Sequence, residues 1–261
     1  MKVARLVSRV VSGIALMALA ACASVDPEAS FAEQDPYEST NRVMHDVNLA
    51  IDRGFLRPVA KGYDFVTPAT VQHMLGNGFS HLDLPVDMVN HFLQGEGMAG
   101  LRTLGRFTLN TVLGMGGLLD PATEFGLPRE QTDFGITLGR WGSGQGAYLV
   151  LPLIGPSTPR DFGGYLVDLA FSPQTYMGVT GSDLVNTFSL PLNALERVDT
   201  RNRNADLIDE LLYESPDSYV TLRSVYLQRR NAQISRGDAT EALPDIFEEE
   251  EPEEAPAAPV N

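Results

Sequence analysis

The chain has 261 residues, with 34 Asp or Glu against 19 Lys or Arg, a formal net charge of −15 at pH 7 and one cysteine. That length supports one sizeable core and is short for two comfortable domains. The sign of the charge excludes a nucleic-acid partner, and a lone cysteine excludes an internal disulfide.

Lys2, Arg5 and Arg9 make a basic start, and Val10 to Leu19 is an apolar run ending in small residues. This reads as a secretory signal peptide over residues 1–21; about 20 apolar residues would be needed for a spanning helix. Leu19-Ala20-Ala21-Cys22 resembles the bacterial lipobox, which implies cleavage before Cys22 and diacylglycerol and acyl modification of that residue. Ala23 follows, where an Asp would signal inner-membrane retention, so an outer-membrane, lipid-anchored, periplasm-facing protein is expected. Losing the three leader cations takes the net charge from −15 to −18.

Residues 22–35 read as anchor and tether. Asp35-Pro36 followed by Glu38 has the order of a helix start, and Val43, Val47, Ala50 and Ile51 recur at helical spacing. Similar patterns predict helices near 64–76, 84–94, 98–113, 182–198, 204–213 and 216–234. Alternating runs are few, so the class is mainly α. Residues 236–261 read as a disordered acidic tail: positions 241–261 carry eight acids, no base and four prolines.

The centre is unusual, because 18 of the 24 glycines lie between Gly95 and Gly181. Charge thins there too, with 13 uncharged residues between Arg106 and Asp120 and 19 between Arg140 and Arg160. Glycine permits close backbone contact and positive φ. Composition alone leaves two readings open: a glycine-rich soluble core, or short helices and re-entrant turns around a passage, where broken backbone is satisfied by protein or water.

Asp35-Pro36-Tyr37-Glu38, Asn41-Arg42-Val43-Met44, Leu56-Arg57-Pro58-Val59-Ala60 and Asn90-His91-Phe92-Leu93-Gln94-Gly95 open a series of ordered blocks. It continues through Gly105-Arg106-Phe107-Thr108-Leu109-Asn110-Thr111, Leu113-Gly114-Met115-Gly116-Gly117-Leu118-Leu119-Asp120, Phe134-Gly135-Ile136-Thr137-Leu138-Gly139 and Leu151-Pro152-Leu153-Ile154-Gly155-Pro156-Ser157-Thr158-Pro159-Arg160-Asp161. Together these resemble the MlaA (VacJ) family of outer-membrane lipoproteins over about residues 35–235. The resemblance implies a ring-shaped, mostly helical domain over residues 36–235, held in the inner leaflet around a central amphipathic channel beside trimeric porins. It implies removal of misplaced phospholipids from the outer leaflet to a periplasmic carrier, maintaining lipid asymmetry. Where many members carry an aromatic between asparagines, this chain departs with His45-Asp46-Val47-Asn48.

No enzyme constellation stands out. Ser143 lies among glycines, but Trp141 stands where a nucleophile elbow needs its first glycine. His45, His73, His81 and His91 show no zinc spacing, and Gly95-Glu96-Gly97-Met98-Ala99-Gly100 lacks a βαβ setting. No catalysis, metal or cofactor is therefore expected. The rival readings are a lipid-hydrolysing enzyme centred on Ser143 or His91 and a structural lipoprotein bound to porin or cell wall.

Arginine is more suggestive, since after the leader the only lysine is Lys61 against 15 arginines. Guanidinium suits bidentate contact with phosphate. Arg106 and Arg160, bordering the uncharged stretches, are candidates to steer lipid phosphates, the alternative being pairing with Asp120 and Asp161. Leu113, Gly114, Met115, Gly116, Gly117, Leu118 and Leu119 are candidates for a flexible gate, the alternative being static tight packing.

Overall fold

The computed structural model describes residues 35–175 and 183–235, the side chains of 183–190 excepted. The signal peptide, Cys22, the tether and the acidic tail lie outside the described residues.

The first helix is longer than expected. α1 (Glu38–Ile51) runs through a π-helical turn (Asp52–Leu56) into α2 (Arg57–Val66). The wide turn has a local cause: the Arg57 N–H reaches back to the Asp52 carbonyl, and Pro58 has no N–H to donate. Asp35 does not cap this helix through its side chain, which instead accepts hydrogen bonds from Asn41 and Tyr219.

The segments predicted at 64–76 and 84–94 resolve differently. Thr67 leaves helical geometry before Pro68, and one 25-residue helix, α3 (Ala69–Leu93), then runs unbroken with Pro85 inside it. Packing along its length against α4 (Gly97–Val112) outweighs the lost backbone bond at Pro85. α5 (Pro121–Glu124) and α6 (Phe134–Arg140) follow.

A short antiparallel hairpin comes next, β1 (Leu149–Leu151) against β2 (Gly155–Ser157), with Val150 opposite Pro156. α7 (Pro159–Phe171), not anticipated as a helix, starts where Thr158 accepts from the Asp161 N–H and Pro159 occupies the first turn. Thr158-Pro159-Arg160-Asp161 thus carried an ordinary helix-start signal. α8 (Asp183–Arg203), α9 (Ala205–Asp209), a second π turn (Glu210–Glu214) and α10 (Ser218–Ile234) complete the described chain. The architecture is mainly α, as the sequence led one to expect.

Two asparagines one heptad apart on α1 hold the hairpin. Asn41 donates to the Tyr148 carbonyl at 2.9 Å and accepts from the Val150 N–H at 2.9 Å. Asn48 does the same with Leu151 at 2.9 Å and Leu153 at 2.8 Å. A two-stranded ribbon has few partners of its own, so these side chains stand in for a third strand. Asn41→Ala leaves a buried carbonyl and N–H unpaired. It is expected to cost about 2–3 kcal/mol, read from the urea midpoint at unchanged m; an effect under about 0.5 kcal/mol would show that the ribbon stands without it.

Burial is inverted relative to a water-soluble domain. Among the described residues, ten apolar side chains are buried against twenty-two polar or charged ones, while twenty-eight large apolar side chains are exposed. Exposed examples gather on α4 and the loop after it, at Met98, Leu101, Val112, Leu113 and Met115, with Phe125 at the end of α5 and Phe65 91% exposed on α2. A monomer surrounded by water rarely presents so much apolar surface.

Candidate functional site: an amphipathic cavity

The polar interior surrounds a cavity of about 970 Å³, at the upper end of ordinary ligand pockets. α1, α3, α6, α7, α8, α9, α10, the first π turn, the hairpin and the second π turn all contribute to its wall. Ile51, Leu56, Val86, Leu211, Leu212 and Leu222 supply apolar surface; carboxylates and arginines supply charge. From residues 106–160, the wall takes in Arg129, Gln131, Thr132, Asp133, Ile136 and the hairpin, whereas Arg106, Arg160 and residues 113–119 are not part of it.

Most wall charges are locked in pairs. Arg129 bridges Asp83 and Asp87, each at 3.1 Å. Arg201 clamps Asp52 at 2.8 Å and also reaches Asp209, while Tyr213 donates to Asp52 at 2.7 Å, tying the two π turns together. Arg230 joins Asp133 at 2.6 Å to Asp161 at 2.8 Å. Burial alone would raise Asp161, but the Arg230 guanidinium overrides it and holds this carboxyl below the usual range.

Two wall carboxyls behave otherwise. Burial pushes Asp87 and Asp168 up to about 6, against Arg129 beside the first and the Phe134 N–H and Asn90 amide beside the second. A carboxyl raised in this way keeps its proton in the fold where the unfolded chain, near 3.8, has lost it. Its contribution to stability is complete below about pH 4 and disappears as pH rises through about 6. Asp168→Asn cannot titrate, so the stability of the wild type minus that of this variant is expected to fall between about pH 4 and 6.5. Urea unfolding at each pH measures it, and a flat or rising difference would contradict the shift.

Arg106 and Arg160 are 6% and 4% exposed, and each meets the carboxylate named as its alternative partner. Arg106 donates to Asp120, to the Leu127 carbonyl and to Thr123 at 2.8 Å. Asp120 also accepts from Asn110 at 2.9 Å, closing a tie between α4 and α5. Arg160 donates to Asp161 at 3.0 Å.

Leu113–Leu119 folds back onto the end of α4, with the Gly116 and Gly117 N–H groups donating to the Thr111 and Asn110 carbonyls at 3.1 and 2.9 Å. Gly117 has φ +94°, and a Cβ there would lie 2.5 Å from that of His81. Met115 takes φ +56°, rare for a side chain of its size, and is 67% exposed.

Three of the four histidines have separate structural partners. His45 meets Ser218 at 2.8 Å, His81 meets Thr111 at 3.1 Å and stacks on Phe107, and His91 meets Glu96 at 2.9 Å. Among the described residues no three His, Cys, Asp or Glu side chains gather as a metal site, and no helix is long and apolar enough to cross a membrane. The cavity arginines 129, 197, 201, 229 and 230 escaped the sequence reading, which weighed arginines by the uncharged stretches they border. The α1 asparagines at seven-residue spacing were a legible but unread signal.

The profile of the MlaA lipoprotein family matches residues 33–233. The chain is 36% identical over 224 residues to the intermembrane phospholipid transport system lipoprotein MlaA of Escherichia coli K12, covering 84% of this chain and 86% of that one. Against the protein of the same name in Haemophilus influenzae it is 33% identical over 239 residues, covering 89% and 93%. An uncharacterized Rickettsia felis protein is 35% identical over 201 residues, covering 77% and 78%. A solved structure reported as "Structural basis for maintenance of bacterial outer membrane lipid asymmetry" superposes with TM-score 0.66 at 35% identity, covering 77% of this chain and 98% of that one. With an inverted burial pattern, a mixed cavity and this match along most of its length, the chain belongs to the MlaA lipoprotein family.

Proposed function

We propose that this protein removes misplaced phospholipid from the outer leaflet of the outer membrane and passes it through the central cavity to a periplasmic carrier, preserving lipid asymmetry. The observation that carries the reading is the cavity of about 970 Å³ inside a shell whose exposed face is rich in large apolar side chains. Such a body rests in lipid by its outer face, and its inner face accepts an acyl tail beside a polar headgroup. Cys22, carrying diacylglycerol and an acyl chain, tethers it to the outer membrane. Several buried acyl chains at about 0.8 kcal/mol per methylene make that tether stable without help from the fold. Residues 36–235 form the ring-shaped transport domain and sit beside trimeric porins.

A passive path of this kind requires neither covalent chemistry nor a cofactor. Leu113–Leu119, exposed at Leu113, Met115, Gly116 and Leu119 and outside the cavity wall, serves as a gate that swings against His81; a disulfide pinning it to α3 is expected to block transport, and intact transport would remove the gate. Arg106 and Arg160 serve lipid passage at one remove, holding the α4–α5 junction and the start of α7. Deleting the gene is expected to raise surface-exposed phospholipid, with rescue by the wild type and none by Cys22→Ala. Unchanged surface phospholipid in the deletion strain would overturn the reading.

A further inference from the structure

Five arginines line the cavity, and three of them are spent on carboxylates: Arg129, Arg201 and Arg230. Arg197 on α8 and Arg229 on α10 are different. Both are exposed and lie on the cavity wall, and neither forms an ion pair among the described residues. Among the described residues Arg197 makes one hydrogen bond, from Nη1 to the Leu153 carbonyl at 3.3 Å, which leaves most of its five N–H donors open there.

We propose that Arg197 and Arg229 are the phosphate-recognising groups of the cavity, taking the phosphodiester of a phospholipid headgroup. The inference rests on the lipid-transport reading and assigns its headgroup contacts. The lipid source is favoured over a soluble phosphate by what surrounds Arg197. Its Leu153 contact lies at the tip of the β1–β2 turn, where Leu153 and Ile154 are 67% and 43% exposed and both belong to the wall. Tyr165 and Leu169 of α7 add further exposed apolar surface to the same cavity. A cation touching the backbone of an apolar tip matches an amphiphile, anion at one end and hydrocarbon at the other.

Wall carboxylates do not neutralise these two cations through hydrogen bonds. Glu196, the chain neighbour of Arg197, meets Gln174 at 3.5 Å, and burial raises its pKa. Asp168 is held by Asn90 at 2.8 Å and the Phe134 N–H at 2.9 Å. A phosphodiester permanently charged at neutral pH is therefore the better partner for the open guanidinium donors.

The test uses the detergent-solubilised full chain and three probes: a fluorescent phosphatidylethanolamine, a fluorescent diacylglycerol with the same acyl chains, and inorganic phosphate. The wild type is expected to bind the phospholipid about tenfold more tightly than the diacylglycerol. Arg197→Gln/Arg229→Gln is expected to lose that preference, with diacylglycerol affinity and the thermal midpoint unchanged. Arg197→Lys/Arg229→Lys should keep part of it. Equal phospholipid binding by wild type and the Gln variant would overturn this inference and leave the transport reading standing, as would an equal loss for both lipids. Failure of the wild type to bind either lipid would bring down the transport reading itself. Saturation by inorganic phosphate as tight as by the phospholipid would overturn the assignment to a lipid headgroup.

Discussion

Replacing Arg230 with methionine is expected to destabilise the protein by about 3–5 kcal/mol, more than any other single change of charge on the cavity wall. Arg230 comes from α10 but serves two other helices: its Nη1 and Nη2 meet Asp133 at 2.6 and 2.9 Å, and its Nε and Nη2 meet Asp161 at 3.1 and 2.8 Å. Asp133 caps α6 by accepting from the Ile136 N–H, and Asp161 lies in the first turn of α7. The variant leaves Asp161 buried with Arg160, at 3.0 Å, as its one cation and Tyr226, at 2.5 Å, as a neutral donor. The Asp161 carboxyl, now held low chiefly by Arg230, would move up at an energetic cost. Urea unfolding measures the loss. Arg230→Lys keeps one cation between Asp133 and Asp161 and should lose less; an equal loss for lysine and methionine, or a loss below about 1 kcal/mol for methionine, would show that the pair is not what holds these helices.

The second large effect is steric. At Gly164 on α7 an added Cβ would lie 2.3 Å from the Gly135 nitrogen and 2.6 Å from its Cα, so backbone meets backbone between α6 and α7. Neither atom belongs to a side chain that could rotate away. Gly164→Ala is expected to cost about 3 kcal/mol or more, and to lower lipid transport by displacing Ile136, Tyr165, Asp168 and Leu169 on the cavity wall. Gly163→Ala is the control. Nothing lies within 4 Å of a Cβ there, so the better helix propensity of alanine should leave stability unchanged or raise it by up to about 1 kcal/mol. Equal behaviour of the two alanine variants, in thermal midpoint and in surface phospholipid, would refute the close approach.

The clash at Gly164 gives a reason for the glycine-rich centre that composition could not supply. Composition left open whether those residues loosen a passage or tighten a core. At Gly164 the glycine admits a neighbouring backbone closer than any Cβ allows, which there is tight packing rather than slackness. Long helices were legible because periodicity and caps are local: the predicted 98–113 and 216–234 became Gly97–Val112 and Ser218–Ile234. The predictions near 64–76 and 84–94 misplaced one break because Pro85 is an interruption only until a neighbouring helix compensates for it. The hairpin was missed because its third partner is a pair of side chains 103–109 positions away.

By itself the sequence determined the class, the charge, the lipobox pattern and the family, all properties written in neighbouring residues or in ordered blocks. It also showed that arginine had displaced lysine. Only the tertiary structure decided which arginines are free to act. Arg106 and Arg160 find carboxylates 14 and one residue away and are buried with them, whereas Arg197 and Arg229 face the cavity with no such partner among the described residues. The physical reason is that a guanidinium's role depends on what the fold brings within about 3 Å of it, and position along the chain does not specify that distance.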